Sequence, residues 1–262
     1  MLSSLSHSEI KDFLEEKYSL YNQLKFIETD PIQVPHMFSI KEDIEISGFL
    51  TATIAWGQRK LIIRKALEIL SMMDNSPHDF VVNASQREFK EFEKFQYRTF
   101  KGEDSAYFVR SLKNIFLNYG GLQELFESSY SMGGNIYNVL GRFREIFMNQ
   151  NPASRTLKHV ANVSKGASAK RLNMFLRWMV RHDNRGVDFG LWKNIPTSSL
   201  MMPLDVHTGN VSRKLGILQR KQNDWKAVVE LTENLRKYDS VDPVKYDFAL
   251  FGLGVFENFN TI

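Results

Sequence analysis

Lys170-Arg171-Leu172-Asn173-Met174-Phe175-Leu176-Arg177-Trp178-Met179 decides the fold class. Leu172, Phe175, Leu176 and Met179 recur at i, i+3, i+4 and i+7, which places them on one face of a helix. The same period runs along most of the chain. Ile10, Phe13, Leu14, Tyr18 and Tyr21 form one stripe, and Phe49, Leu50, Thr53 and Ile54 form another that Gly57 stops. Further stripes are Ile62 to Met73, Phe108 to Phe116, Leu122 to Phe126, Ile136 to Phe147, Val211 to Leu215 and Trp225 to Leu235. Asp242-Pro243 is a start signal, Asp as cap and Pro at the first helical position, for a last helix carrying Val244, Phe248, Phe251 and Val255. Strand signals are weak, so the expected fold is all-α with about ten helices. The longest non-helical stretches expected are 28–41, 94–103 and 184–204. The chain reads as a single globular unit, 1–262, of two helical halves with a cleft between them: 42–150, and 1–41 with 151–262.

Composition narrows the function. The 262 residues are 43% hydrophobic and 13% aromatic, enough for a sizeable core. There is no Cys, which excludes disulfides, thiolate zinc sites and Cys-ligated iron–sulfur clusters. The six His show no metal-ligand spacing, so neither a metal nor a cofactor is expected. Met1 to His7 has no basic region followed by an apolar run, and no segment has the length of a membrane span. The expectation is a cytoplasmic protein with no membrane partner. The formal charge is only +4, yet the stretch from Arg155 to Lys226 holds fourteen Lys/Arg, four Asp and no Glu. That stretch is therefore +10 and the remainder −6. Such segregation suits a polyanion partner; a set of solvated helix faces is the alternative.

Two places carry candidate chemistry. In Leu204-Asp205-Val206-His207, a carboxylate follows a Pro-containing apolar segment and opens an amphipathic turn. It is placed to accept hydrogen bonds from the first N–H groups of a helix, and the positive helix end favours its anion. An anion held there is what cleavage of a glycosidic bond needs, because positive charge develops on the sugar as the base departs. The plain alternative is an ordinary N-cap. In Ser164-Lys165-Gly166-Ala167-Ser168-Ala169-Lys170, small residues and one Gly let backbone approach a phosphate just before a helix. Lys170, in the first turn, sits where the positive helix end disfavours the ammonium form, which suits a nucleophilic amine. A surface lysine is the alternative. Met174, one turn on, shares its face and is placed to line a pocket or to join the core. No Gly-x-Ser-x-Gly elbow supports a hydrolase triad.

At Lys170, Asp205 and His207 the chain resembles the helix-hairpin-helix DNA glycosylases, the superfamily of endonuclease III and the 8-oxoguanine glycosylases. The resemblance implies a catalytic Asp205, a Schiff-base nucleophile at Lys170 (with Lys165 the other candidate) and a backbone-phosphate contact at His207. Leu50-Thr51-Ala52-Thr53-Ile54-Ala55-Trp56-Gly57-Gln58 is similar to the early helix whose Gln enters the duplex, which implicates Gln58. Asp247-Phe248-Ala249-Leu250-Phe251-Gly252 resembles the last core helix. Lys165, Gly166, Ser168, Arg171 and Arg213 fall where nucleic-acid contacts are implied, and Met174 where the base pocket is implied. The usual Leu-Pro-Gly-Val-Gly hairpin is absent; Ser164 to Ser168 stands in its place, and 35 positions separate Lys170 from Asp205. Among branches this most resembles the archaeal 8-oxoguanine glycosylases, and the chain also resembles an uncharacterised bacterial family of similar length. The implied activity is removal of a damaged base, an oxidised purine, from duplex DNA, with an associated lyase step in base-excision repair. A non-catalytic nucleic-acid-binding protein on the same scaffold and a helical interaction module are the alternatives.

Overall fold

A computed structural model describes residues 6–257 and 259. Residues 1–5, which the sequence reading takes as lacking a signal peptide, lie outside the described residues. In chain order the helices are α1 (His7–Tyr21), α2 (Leu24–Ile27), α3 (Lys41–Thr53), α4 (Arg59–Ser71), α5 (Pro77–Asn83), α6 (Gln86–Glu91), α7 (Gly102–Asn118), α8 (Leu122–Gly133), α9 (Ile136–Phe147), α10 (Lys170–Val180), α11 (Val206–Lys214), α12 (Trp225–Arg236) and α13 (Tyr246–Val255). Among the described residues there is no strand, only isolated bridges at Tyr97–Phe100 and Ala167–Asp224. The fold is all-α. No helix among the described residues is long and apolar enough to cross a membrane.

The chain forms two compact units, Ile27–Asn162 and Met1–Phe26 with Val163–Ile262. The sequence reading divides it instead at 42 and 150. The difference has a physical cause. Two 3₁₀ turns, Pro31–Gln33 and Pro35–Met37, pack against α3, so the segment read as a connecting stretch is part of that unit's body. At the other boundary Arg155, Thr156 and His159 gather on the buried Asp104 of α7. Its carboxylate meets Arg155 Nη1 and Thr156 Oγ1 at 2.7 Å and His159 Nε2 at 3.2 Å. A buried anion needs such partners, and they keep residues 151–162 with α7.

In the 27–162 unit every residue of α3 from Asp43 to Thr53 is buried. A helix surrounded on all sides has no polar face to give it a period, which is why only a fragment of α3 is legible as a stripe. Phe49 stacks on Phe108 and meets Phe143 and Phe147 edge-on, and these rings join α3, α7 and α9. The short α5 and α6 carry too few apolar positions to be read as helices from the sequence. In the other unit α13 is the central helix and packs against α1 and α11. Gly252 makes the approach to α1 possible, since a Cβ there would meet the Tyr21 ring at 2.1 Å. As read from the sequence, Asp242 caps the start: its side chain accepts from Lys245 N at 3.1 Å, ahead of the 3₁₀ turn Pro243–Lys245 that leads into α13.

Candidate active site

The segment before α10 is a tight double turn. Val163–Lys165 is a 3₁₀ turn, Gly166 follows at φ +84°, and Ala169 holds the left-handed conformation at φ 52°. A left-handed non-glycine residue costs free energy and persists only where its surroundings hold it. Three bonds do so here. Trp225 N donates to Gly166 O at 2.9 Å, Asn173 N donates to Ala169 O at 2.9 Å, and Asn173 Nδ2 donates to Ser168 O at 3.2 Å. The reversal at Ala169 makes Lys170 the first residue of α10.

Asp205 is the N-cap of α11, as its sequence setting predicts. Its two carboxylate oxygens divide their work. Oδ1 accepts from Thr208 N at 2.9 Å, and Oδ2 lies 3.8 Å from Lys170 Nζ. Both side chains are 24% exposed, so a ligand can reach them while most of their surface is out of water. Lys170 Nζ is also 3.7 Å from Met174 Sδ, one turn along α10. Asn223 Nδ2 donates to Asp205 O at 2.9 Å and fixes the start of α11 from outside. The structure thus brings together Lys170, Asp205 and Met174, from segments 35 positions apart.

The remaining predicted residues fall in several places. His207 is exposed in the first turn of α11, and Lys165 and Gly166 are exposed in the turn before α10. Ser168 is half-buried, as is Arg171, whose guanidinium burial pulls down to about 10. Arg213 braces a loop: Nε donates to Arg220 O at 2.8 Å and Nη2 to Asn223 Oδ1 at 2.6 Å. Gln58 belongs to the 27–162 unit, exposed at the residue before α4. Among the described residues there is no group of three or more His, Asp or Glu able to hold a metal ion.

A buried charge network stands beside the pair, and sequence reasoning missed it. Arg177 of α10 ion-pairs through Nη1 with Asp247 of α13 and through Nε with Asp188 at 3.2 Å, its plane 4.3 Å over the Phe248 ring. Asp188 also meets Arg181 Nη1 at 3.0 Å. Arg181 is fully buried and reaches Asp183 and Asp242 at 2.8 and 2.9 Å. Burial pushes the Asp247 carboxyl up to about 6; Arg177 pulls it back, Asp205 pushes it further up and Lys170 pulls it down. Asp247 therefore feels both members of the candidate pair. The available signal was a lone carboxylate inside the apolar run of α13, which requires a buried partner.

This network also changes how the basic stretch reads. Arg155, Arg177, Arg181 and Arg220 hold carboxylates, and Arg185 and Arg213 hold backbone carbonyls. Lys158, Lys165, Lys193, Lys221 and Lys226 are exposed. Planar, multiply donating guanidinium groups suit internal ion pairs, whereas strongly hydrated ammonium groups stay in water. Part of the +10 excess is therefore offset inside the fold, by Asp104, Asp242 and Asp247 from outside the stretch.

A family model described as "Protein of unknown function (DUF2400)" matches residues 30–256. No curated protein and no solved structure matches the chain.

Proposed function

The chain belongs to that family, and we propose that it is a DNA glycosylase of the helix-hairpin-helix type with an associated lyase step, acting on a damaged base, in the first instance an oxidised purine. The observation that carries this reading is the approach of the Lys170 amine to the free oxygen of Asp205, both partly exposed. A carboxylate and an amine on separate helix starts are the two groups the reaction requires. The double turn at 163–169 takes the place of the hairpin.

In the proposed mechanism a base extruded from the stack presents its sugar to the pair. Positive charge builds on the sugar as the C1′–N bond breaks, and the electron pair leaves with the base, which takes up a proton. Asp205 Oδ2 stabilises that charge; Oδ1, bonded to Thr208 N, keeps the carboxylate from turning away. Lys170 supplies that proton to the departing base by way of Asp205, and its freed nitrogen lone pair then adds to C1′. The sugar ring opens as O4′ accepts a proton, and an imine to Nζ results. Loss of the acidified C2′ proton then expels the 3′ phosphate and cuts the strand.

Borohydride trapping on duplexes carrying single lesions tests the proposal. The wild type should give a reduced covalent adduct on an oxidised-purine duplex. Lys170→Gln should give none while still binding DNA. Unchanged trapping in that variant would move the nucleophile to Lys165 or elsewhere. Binding without adduct or base release on any lesion would leave a non-catalytic nucleic-acid-binding protein.

A further inference from the structure

We propose that the loop 219–222 and the start of α12 form a second grip for duplex DNA, a site that holds backbone phosphate away from the reacting sugar; this rests on the nucleic-acid reading above. Gln219, Arg220, Lys221, Gln222, Lys226 and Glu230 line a surface cavity of about 490 Å3. Its two nearest acids face their own loop. Asp224 is held by Arg220, whose Nε lies 2.6 Å from Oδ1, and this bond keeps the carboxyl down at about 2. Glu230 Oε1 accepts from Gln219 N at 2.5 Å and from Arg220 N at 3.4 Å. Arg220 is also tied through Nη2 to Gln222 Oε1 at 2.9 Å.

The cavity's lysines, Lys221 and Lys226, are the cations in its lining that hold no carboxylate. Both are exposed, and neither ammonium group has a hydrogen-bond or ion-pair partner among the described residues. The backbone amides of 219 and 220 already serve Glu230 and are not offered to an anion. Two point charges on an open surface suit a polyanion, whose binding gains from released counterions at each neutralised phosphate.

The loop's attachments connect this grip to the pair. Asp224 bridges Ala167 and Trp225 N donates to Gly166 O, which anchors α12 to the turn that precedes Lys170. Asn223 Nδ2 donates to Asp205 O and its Oδ1 accepts from Arg213. Gly209 permits that approach, since a Cβ there would meet Asn223 Oδ1 at 2.8 Å. A phosphate held by Lys221 and Lys226 is thus in fixed register with both Lys170 and Asp205, by a loop bonded to the segments that carry them.

The test is the salt dependence of binding to an undamaged duplex, wild type against the double variant Lys221→Gln with Lys226→Gln. Both side chains are exposed, so the thermal transition should not move. Loss of two phosphate contacts should make the slope of log Kobs against log salt shallower by about 1.8. An unchanged slope would overturn the grip. So would inorganic phosphate displacing duplex from the wild type but not from the variant at equal ionic strength, which would mark a small-anion site. The measurement needs no chemistry. A wild type that binds steeply but releases no base would refute the glycosylase reading and leave the grip standing, and an unchanged slope would refute the grip whatever the chemistry.

Discussion

Replacing Asp205 in two ways separates a catalytic carboxylate from an ordinary helix cap. Asp205→Asn keeps an oxygen able to accept from Thr208 N, now at 2.9 Å. Asn and Asp cap helices about equally well, so the start of α11 should survive. What is lost is the attraction to Lys170 across 3.8 Å, at a site where both side chains are 24% exposed. A pair of that exposure stabilises by well under 1 kcal/mol, roughly 0.5. Relief of the repulsion that Asp205 exerts on Asp247 acts the other way. Net stability should change by less than about 0.5 kcal/mol, a shift of roughly 2 °C or less. Asp205→Ala removes the cap oxygen too and should cost about 1 kcal/mol. Base release should order differently. Loss of a charge-stabilising group costs about 10²–10³ in rate, so both variants should be slow although only the Ala variant is less stable. Thermal unfolding and single-turnover base release on a lesion-bearing duplex measure the two effects. An Asn variant that releases base at near wild-type rate would refute the catalytic assignment and leave Asp205 as a cap.

Three other outcomes are expected. Asp247 has its folded pKa raised to about 6 from 3.8, so between those values the native state holds a proton that the unfolded chain has released. The stability this gives is fully present below about pH 4 and is lost as pH rises through 6, a difference of order 3 kcal/mol. Urea titrations at pH 4 and pH 7 should show that fall in the wild type and a flatter profile in Asp247→Asn; equal slopes in the two proteins would count against the buried carboxyl. Arg181→Ala leaves Asp183, Asp188 and Asp242 without their common cation and should cost about 3–5 kcal/mol by chemical denaturation, whereas a loss under 1 kcal/mol would show that water compensates those carboxylates. Ala169→Val puts a β-branched residue at φ 52° and should cost about 1–2 kcal/mol, while Ala169→Gly should be tolerated; the two thermal transitions give the comparison.

The helical class was legible because most helices here bury one face and leave the other in water. Leu172, Phe175, Leu176 and Met179 carry that pattern, and all are buried in α10. The pattern fails where burial is complete or the helix is short, as in α3 or in α5 and α6. The compact units have other limits than the helical period suggests, for a related reason. Pro31–Met37 has no helical period, yet it packs as part of a core. A period reports a boundary between oil and water, and a segment without that boundary gives none.

Asp205 as a helix cap and Lys170 at a helix start were determined by local sequence, because capping depends on the few residues on either side of a helix end. The charge excess was counted correctly but its placement was not, since a linear count cannot tell an arginine that holds a buried carboxylate from a lysine facing solvent. Only the tertiary structure decided that Lys170 and Asp205 approach each other, that Asp247 answers to both, and that Arg177 and Arg181 face inward. Those facts depend on how α10, α11 and α13 pack, and packing joins positions far apart in the chain through contacts that no short window of sequence contains.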